Sequence, residues 1–486
     1  MLLLWTVALR WRLLGNPLIY NDEDFYLYIG GQLLKGHLPY VSVWDRKPFG
    51  LFALYAFFHL FGSWRFWAYQ LGAVMAVWGT ALLIKNMAQS LTKHVWGAAF
   101  GGFLYVAALN MYVGYGGQAP VYYNFLMALA FWLLVRQWPD APATKGKLRQ
   151  MGMASMGLVG LALTLKPTVV FEGVYLGLGF ILLGLHNHLK WRTLLSDSVI
   201  WVLCALMPTL LIIGGYALSG HGHEWWFANV ESIFQRHAEL EPHNLKRFLR
   251  LVLIMAAVWP LAWAFHIRFT AIQKSRFALI SGWALAAVVA VVVVGGFYNH
   301  YNLPLLLPFC VLLPVLFDNR ITTLSVAVLG IYMTVAGEAK VIRQDRFANR
   351  HDYDAMVKVL SQPEGCVFEY DANPILLDAT PTAANCQLTR WPFPAHLGLP
   401  REQGALGVTP NEYREVVRVL SQHPRYIVTD DFTEMGADNQ PIMPQDRHLL
   451  DVINRDYEFA YGHRLKDRYN VIIWRLKSGL QPHTHP

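Results

Sequence analysis

The sequence predicts a mainly α-helical, polytopic membrane protein, in which a bundle of about eleven transmembrane helices precedes a small C-terminal α/β domain. The chain has 486 residues, of which 55% are hydrophobic and only 15% are charged. Soluble globular chains carry about 25% charged residues. Apolar runs of membrane-spanning length recur up to about residue 340, and charged residues become frequent only after it.

The apolar runs place the spans one after another along the first 340 residues. We expect spans near residues 1–18, 66–88, 95–112, 121–138, 150–165, 168–186, 195–219, 247–267, 278–296, 302–317 and 321–337. The first run is short for a crossing, which needs about 20 residues. It has no signal-peptide pattern, so we expect it to be retained. It would extend through Leu18 to Tyr20, or its true start would lie upstream.

Basic residues collect in alternate connections between the spans, and the positive-inside rule makes those connections cytoplasmic. They are Lys85, Lys93, Arg136, Lys145, Lys147, Arg149, Lys190, Arg192, Arg268, Lys274, Arg276 and Arg320. Loops 19–65 and 220–246 and the C-terminal region then face outward. This distribution explains the net charge of +8 and excludes a nucleic-acid-binding face.

We predict a transmembrane domain over residues 1–339, an outward-facing α/β domain over 340–478 and a disordered tail over 479–486. Strand-like and helix-like runs alternate in the α/β domain. The expected strands are 366–370, 426–429 and 471–476, and the expected helices are 353–360 and 412–420.

The four cysteines fall into two kinds. Cys204 and Cys310 lie inside apolar spans and are expected to be small core residues. Cys366 and Cys386 lie in the α/β domain, where they could form a disulfide if that domain is outside the cell. Two separate buried thiols are the alternative, because spacing alone does not fix a pairing.

An acidic triplet, Asp22-Glu23-Asp24, follows the first span. The pattern predicts an amphipathic helix over residues 23–35 along the membrane surface, with Asp22 as its N-cap and Gly36 at its end. Capping needs only one acid. Because acids at a low-dielectric boundary are costly unless they are paired or functional, we expect a function for at least one of the three.

A second charged motif, Trp44-Asp45-Arg46-Lys47-Pro48, lies in the same outward loop. Pro48 is expected to be the first residue of an apolar helix over 49–61, which would place Lys47 near a helix N-terminus where anions are favoured. A phosphate group fits such a site. The alternative is that Arg46 and Lys47 snorkel to lipid headgroups.

Other outward positions carry polar groups between apolar runs. Lys166 could be a second cation for a phosphate leaving group or a snorkelling anchor. His300 and Tyr301 open the tenth span, where a lone histidine is more often interfacial than catalytic. The histidines of His221-Gly222-His223-Glu224 lack a fourth ligand and the usual spacing for zinc, so we do not expect a metal there.

The motifs together resemble the first outward loop of GT-C class membrane glycosyltransferases. The branch most similar is family 39-like and includes protein O-mannosyltransferases and the lipid A aminoarabinose transferase. Weaker matches cover most of the remaining chain: Leu163 to Pro167, His300-Tyr301 with Pro304 and Pro308, Tyr370 to Pro374, and Pro424 to Val428. Phe49 replaces a second proline, and Gly295-Gly296 stands where relatives often have an arginine.

The resemblance implies an inverting transfer of a sugar from a polyprenyl-phosphate donor to a lipid, glycan or protein acceptor, on the periplasmic side of a bacterial inner membrane. It makes Asp22 the essential carboxylate, acting as a general base, with Glu23 in support and Asp24 dispensable. The donor-phosphate residues would be Lys47, Arg46, Lys166 and His300. Supporting residues would be Asp45, Tyr301 and Arg65.

The motifs establish no cofactor, and Asp22 and Glu23 could hold a divalent metal ion or work without one. Acceptor choice would depend on loop 220–246 and the C-terminal domain. The aromatic residues there could stack on sugar rings or pack in the protein core: Trp225, Trp226, Trp391 and Phe393. A transporter or flippase for a lipid-linked or anionic substrate is the alternative function, and a non-catalytic scaffold is a third.

Overall fold

A computed structural model describes residues 1–139, 144–235, 241–370, 372–393, 396–397, 411–430, 443–465 and 468–480. The chain divides into two compact units. The first comprises residues 1–14, 69–214 and 239–343, and the second comprises 15–68, 215–238 and 344–486. Two segments that precede residue 339 are thus grouped with the C-terminal region. The predicted disordered tail lies largely outside the described residues.

The described part of the chain is mainly helical. In chain order its helices are α1 Leu2–Ala8, α2 Asn21–Leu34, α3 Phe49–His59, α4 Arg65–Ala88, α5 Val95–Met111, α6 Ala119–Val135, α7 Lys145–Leu163, α8 Val170–His186, α9 Trp191–Leu218, α10 Gly222–Trp226, α11 Ser232–Gln235, α12 Pro242–Ala264, α13 Ala271–Val294, α14 Leu306–Leu312, α15 Arg320–Phe347, α16 Arg350–Leu360, α17 Pro381–Asn385, α18 Glu412–Leu420 and α19 Pro444–Asp456.

Among the described residues, seven helical segments are long and apolar enough to cross a membrane: Gly62–Ala88, Pro167–His186, Trp191–Leu218, Pro242–Ala264, Ala271–Val294, Asn299–Asp318 and Arg320–Leu360. Three shorter apolar helices are α3, α5 and α6. The chain is therefore a multi-pass membrane protein. A total of about eleven spans stays a prediction.

The start of the chain departs from its predicted continuous helix. Helix α1 ends at Ala8 and a short 3-10 turn follows at Trp11–Leu13. The Arg10 side chain is buried and donates to the carbonyl oxygens of Tyr115 and Gly116 at 3.0 and 3.2 Å. Burying a guanidinium requires such partners, so the chain bends where the arginine turns inward. The prediction of one helix through Tyr20 is wrong.

The second unit contains a four-stranded sheet, with strands β1 Val367–Glu369, β2 Tyr426–Thr429, β3 Tyr457–Leu465 and β4 Arg468–Leu476. Their order is β1-β2-β4-β3, with β1 parallel to β2 and the other pairs antiparallel. The predicted strands and the helices α16 and α18 are confirmed. The core of this unit includes Trp44 together with Phe368, Ile427 and Leu449. The loop between α2 and α3 is thus anchored in the core of the second unit.

Helices α2 and α3 pack closely against each other within the second unit. A Cβ atom at Gly30 would lie 2.6 Å from the backbone nitrogen of Ala56, so glycine permits this approach. The Tyr26 and Tyr55 rings meet edge to face at 5.3 Å. All residues from 23 to 32 are buried. The predicted helix is therefore present, but its predicted amphipathic character is wrong, because residues 23 to 32 are buried on every face.

Candidate active site

The acidic triplet forms the first turn of α2. Tyr20 takes the N-cap position with an extended backbone, and Asn21 is the first helical residue. The prediction that Asp22 caps the helix is therefore wrong. Acids in a first helical turn are stabilised by the N-terminal end of the helix dipole. The Asp22 carboxylate contacts a tertiary partner.

That partner is Lys47, which joins two carboxylates. The Lys47 Nζ atom lies 3.3 Å from Asp22 Oδ1 and 3.1 Å from Asp45 Oδ2. We call Asp22, Asp45 and Lys47 the acid–lysine cluster. Their side chains are 13%, 3% and 28% exposed, respectively. Asp45 also accepts the backbone N–H of Arg46 at 2.5 Å. The cluster carries two acids against one base, so its formal charge is negative.

The two carboxylates decide the charge of Lys47. Burial lowers the pKa of the Lys47 ammonium, but Asp45 and then Asp22 raise it by more, and the net pKa is above the ordinary value of 10.5. Lys47 is consequently a cation at neutral pH, which is the form that binds phosphate.

Two aromatic rings also lie against the Lys47 ammonium. Its Nζ atom lies 4.9 Å from the centre of the Phe393 ring and 5.2 Å from that of Tyr26. Burial, Asp22 and Asp45 raise the pKa of the Tyr26 hydroxyl well above its ordinary value, so Tyr26 stays neutral. Sequence reasoning missed Tyr26. Its spacing of four residues from Asp22, which shares a helix face, could have revealed it.

The backbone that carries Lys47 is fixed by contacts inside the second unit. Tyr40 donates its hydroxyl to the Lys47 carbonyl at 2.8 Å, and the Trp44 N–H donates to the Arg390 carbonyl at 2.7 Å. Pro48 is the N-cap of α3. The prediction that Pro48 is the first helical residue is therefore wrong. The Arg46 guanidinium lies 5.1 Å from the centre of the Trp44 ring. Arg46 therefore belongs to the same loop structure as Lys47.

The other acids of the triplet face the protein interior. Asp24 is fully buried and accepts a hydrogen bond from Asn373 Nδ2 at 2.9 Å. Burial raises the pKa of the Asp24 carboxyl well above its ordinary value, although Asn373 partly opposes this rise. Glu23 is also buried. Asp24 thus has a structural contact that the sequence did not reveal. Asp371, in the same predicted motif as Asn373, lies outside the described residues.

Arg65 is part of a different ionic group. Its Nη2 atom lies 3.3 Å from Asp378 Oδ2, which is also 3.0 Å from His59 Nε2. These contacts do not bring Arg65 to the acid–lysine cluster. Nothing in the spacing of His59 and Asp378 predicted this group, because they are far apart in sequence.

Lys166, His300 and Tyr301 lie together in the first unit. The Lys166 Nζ atom is 4.2 Å from the centre of the Tyr301 ring, and the His300 ring meets Tyr301 edge-on at 4.7 Å. The surrounding pocket is lined by Tyr123, Lys166, Thr168, Glu172, Ala290, Val291, Val294, Tyr301 and Pro304. We call it the Lys166 pocket. Sequence reasoning missed Glu172, an acid inside an apolar run that accepts the Trp283 indole N–H at 2.6 Å.

The described residues contain no group of three or more His, Cys, Asp or Glu side chains that could hold a metal ion. His221 Nδ1 lies 3.6 Å from Glu224 Oε1. A divalent ion at Asp22 and Glu23 would have to share Asp22 with the Lys47 ammonium. The metal dependence of the site stays open to experiment.

Cys366 and Cys386 are joined in a disulfide, with a distance of 5.5 Å between their Cα atoms. The bond links the residue before β1 to the residue after α17. Cys204 and Cys310 are free thiols.

The chain has a fold of the GT-C type. The chain is similar to the crystal structure of ArnT from Cupriavidus metallidurans bound to undecaprenyl phosphate, at 16% identity, covering 97% of this chain and 96% of that one with a TM-score of 0.60. The apo structure of the same protein matches at 16% identity, 96% of each chain and a TM-score of 0.59.

ArnT is an aminoarabinose transferase of the GT-C class. The predicted fold, a GT-C type helical bundle with a small α/β region, is confirmed. No protein-family model and no curated protein sequence matches the chain.

Proposed function

We propose that the protein is a membrane glycosyltransferase that takes a sugar from a polyprenyl-phosphate donor and transfers it to a lipid, glycan or protein acceptor, on the periplasmic side of a bacterial inner membrane. The observation that carries the proposal is the acid–lysine cluster in a chain with the ArnT fold. ArnT has been crystallised with undecaprenyl phosphate, which is the lipid that such a donor would leave behind.

The chemistry assigns one role to each member of the cluster. Asp22 removes the proton from the acceptor hydroxyl as that oxygen attacks the sugar carbon on the face opposite the phosphate, so the configuration inverts. Lys47 stabilises the negative charge that develops on the departing lipid phosphate. Asp45, the most buried of the three, holds Lys47 in place through its 3.1 Å contact.

The shared ammonium also couples donor binding to the base. A donor phosphate that approaches Lys47 competes with Asp22 for the same cation, which lies 3.3 Å from Asp22 before the donor arrives. As Lys47 turns toward the phosphate, Asp22 loses part of its counter-charge.

The direct test compares two substitutions in one helical turn, Asp22→Asn and Asp24→Asn. Removal of a general base costs about 10²- to 10⁴-fold in rate, so Asp22→Asn should reduce sugar transfer from a polyprenyl-phosphate donor by at least about 100-fold. Asp24→Asn should transfer at nearly the wild-type rate, because the amide oxygen can still accept from Asn373. Undiminished transfer by Asp22→Asn at equal protein level would refute the catalytic assignment.

The stability of Asp24→Asn checks that the control works for the stated reason. The pKa of Asp24 is raised in the folded protein, so ionisation of this carboxyl destabilises the wild type as pH rises above the ordinary value of 3.8. The asparagine variant lacks this cost. Its unfolding midpoint should equal or exceed the wild-type midpoint at neutral pH, and the difference should shrink as pH falls toward 3.8.

Two further measurements define the reaction. The glycan or lipid whose mass changes when the gene is deleted identifies sugar and acceptor together. Transfer before and after EDTA treatment decides whether a divalent ion takes part. If wild-type protein moves a lipid phosphate across vesicles but transfers no sugar, the transporter alternative replaces this proposal.

A further inference from the structure

A segment of the second unit, residues 386–393, runs beside the loop that carries Lys47, and we call it the strap. The Arg390 guanidinium donates to the Val41 carbonyl and, at 3.4 Å, to the Tyr40 carbonyl. The Gln387 amide donates to the Ser42 carbonyl. Two residues of the strap therefore hold three successive backbone carbonyl groups of the loop.

The strap is itself held at both ends. Cys386, at its start, is tied to Cys366 by the disulfide. Trp391, near its end, is buried in the core of the α/β region together with Phe368 and Tyr370. Trp391 cannot stack on a sugar ring, because it is only 4% exposed.

Phe393, the last residue of the strap, reaches the acid–lysine cluster. Its ring centre lies 4.9 Å from Lys47 Nζ and 4.8 Å from the ring centre of Phe25 on α2. It is also 5.1 Å from the His396 ring. Phe393 is thus wedged between the helix that carries Asp22 and the ammonium that binds Asp22.

We propose that Phe393 is a positioning residue, whose ring keeps the Lys47 ammonium where it can be transferred from Asp22 to the donor phosphate. The inference rests on the proposed function. Two carboxylates at 3.1 and 3.3 Å attract the ammonium from one side. The face of an aromatic ring attracts the same cation without forming an ion pair. The Phe393 ring therefore draws the Lys47 ammonium away from the two carboxylates. The ammonium is then able to exchange Asp22 for the donor phosphate.

The test uses Phe393→Leu, which keeps an apolar side chain but removes the π face, and Phe393→Tyr, which keeps the face. A desolvated cation–π contact changes an equilibrium by about tenfold, so Phe393→Leu should raise the KM for a polyprenyl-phosphate donor about tenfold while kcat stays near wild type. Phe393→Tyr should restore the KM. Phe459→Leu is the matched control, because Phe459 is an exposed ring on β3 that pairs with Trp474.

A second readout does not depend on catalysis. Acetic anhydride acetylates accessible amines, and peptide mass spectrometry gives the rate at Lys47 relative to the exposed Lys358 on α16. Loss of the Phe393 ring should speed acetylation of Lys47 several-fold, because it uncovers the ammonium and removes a contact that favours its charged form. Phe393→Tyr and Phe459→Leu should match the wild type.

The two readouts separate the failure of this inference from the failure of the proposed function. Wild-type protein that transfers sugar, with neither KM nor Lys47 labelling altered by Phe393→Leu, overturns the inference alone. A lowered kcat at unchanged KM, or a Tyr variant that behaves as the Leu variant does, overturns it too. Wild-type protein that transfers no sugar, with Lys47 labelling changed as expected, overturns the proposed function and leaves the contact in place.

Discussion

Lys47 in the second unit and Lys166 in the first each lie against an aromatic ring, but their surroundings differ. Lys47 contacts two carboxylates at 3.1 and 3.3 Å, in addition to the rings of Phe393 and Tyr26. Lys166 lies 4.2 Å from the Tyr301 ring centre, in a pocket whose acid, Glu172, accepts the Trp283 N–H. Lys47 is held by two ion pairs and two rings, and Lys166 lies against Tyr301 in the wall of a pocket that also contains Thr168 and Glu172.

The difference teaches that charge alone does not assign a role to a cation in such a protein. A lysine between two acids divides its three N–H donors and its charge between them and any anion that arrives, so anion binding changes the acids as well. A lysine against a ring can add an anion and keep its contact. The first arrangement suits a group that takes part in the reaction step, and the second suits a group that only binds.

The largest effect should come from Lys47→Met. This change leaves Asp45, which is 3% exposed, without its cation. Removing one partner of a buried ion pair costs about 3–5 kcal/mol in the free energy of unfolding, and losing a charge that stabilises the departing group costs about 10²- to 10³-fold in transfer. Thermal unfolding in detergent and transfer from a polyprenyl-phosphate donor measure the two effects.

A companion variant separates the effect on stability from the effect on transfer. Lys47→Met combined with Asp45→Asn removes the uncompensated carboxylate, so stability should largely return while transfer stays low. If the single variant unfolds at the wild-type temperature, Lys47 is not the counter-charge of Asp45, and the contrast with Lys166 is lost.

Lys166→Met should have a smaller effect and of a different kind. A cation–π contact is worth about 0.5–2 kcal/mol, so stability should change little. The KM for the donor should rise about tenfold with kcat nearly unchanged, since Lys166 is expected to bind and not to exchange partners. A fall in kcat equal to that of Lys47→Met would show that Lys166, like Lys47, takes part in the reaction step.

The smallest effect on transfer is expected from removal of the disulfide by Cys366→Ser with Cys386→Ser. The two cysteines are 20 residues apart, and closing a loop of that size stabilises a protein by about 3 kcal/mol. The unfolding midpoint should fall, and the donor KM should rise a few-fold because the strap loosens. Cys204→Ser, which changes a thiol of the first unit, should leave both values unchanged.

This variant also tests whether the disulfide acts on one lysine only. Its effect on KM should be non-additive with Phe393→Leu, because both act through the strap, and additive with Lys166→Met. Additivity with both would mean that the disulfide supports overall stability and not the position of Lys47.

The sequence was informative where a property is local. Apolar runs, strand-like runs and the loop motifs at 22–24 and 44–48 predicted the fold class, and they named Asp22, Asp45 and Lys47 as candidates. The structure brings these three together. Helix boundaries were less predictable, since the Arg10 side chain finds its partners about one hundred residues later in the chain.

Contacts between distant segments were not predictable at all. Phe393 reaches Lys47, and Asn373 reaches Asp24, across more than 340 residues, and one sequence holds no signal for either pairing. The interior position of α2 was missed for the same reason. Its hydrophobic spacing is compatible with a surface helix, and only the elements packed around it bury the other sides.

The close approach of α3 to Gly30 affects the distance between Asp22 and Lys47. Asp22 lies in the first turn of α2, and Lys47 directly precedes the N-cap of α3. The separation of the two helix axes therefore governs the distance between Asp22 and Lys47. With no room for even a methyl group between Gly30 and the backbone of Tyr55 and Ala56, this separation is at its minimum. Gly30 contacts no substrate, yet its small size sets the distance between Asp22 and Lys47. A larger residue at position 30 would increase that distance without altering either charge.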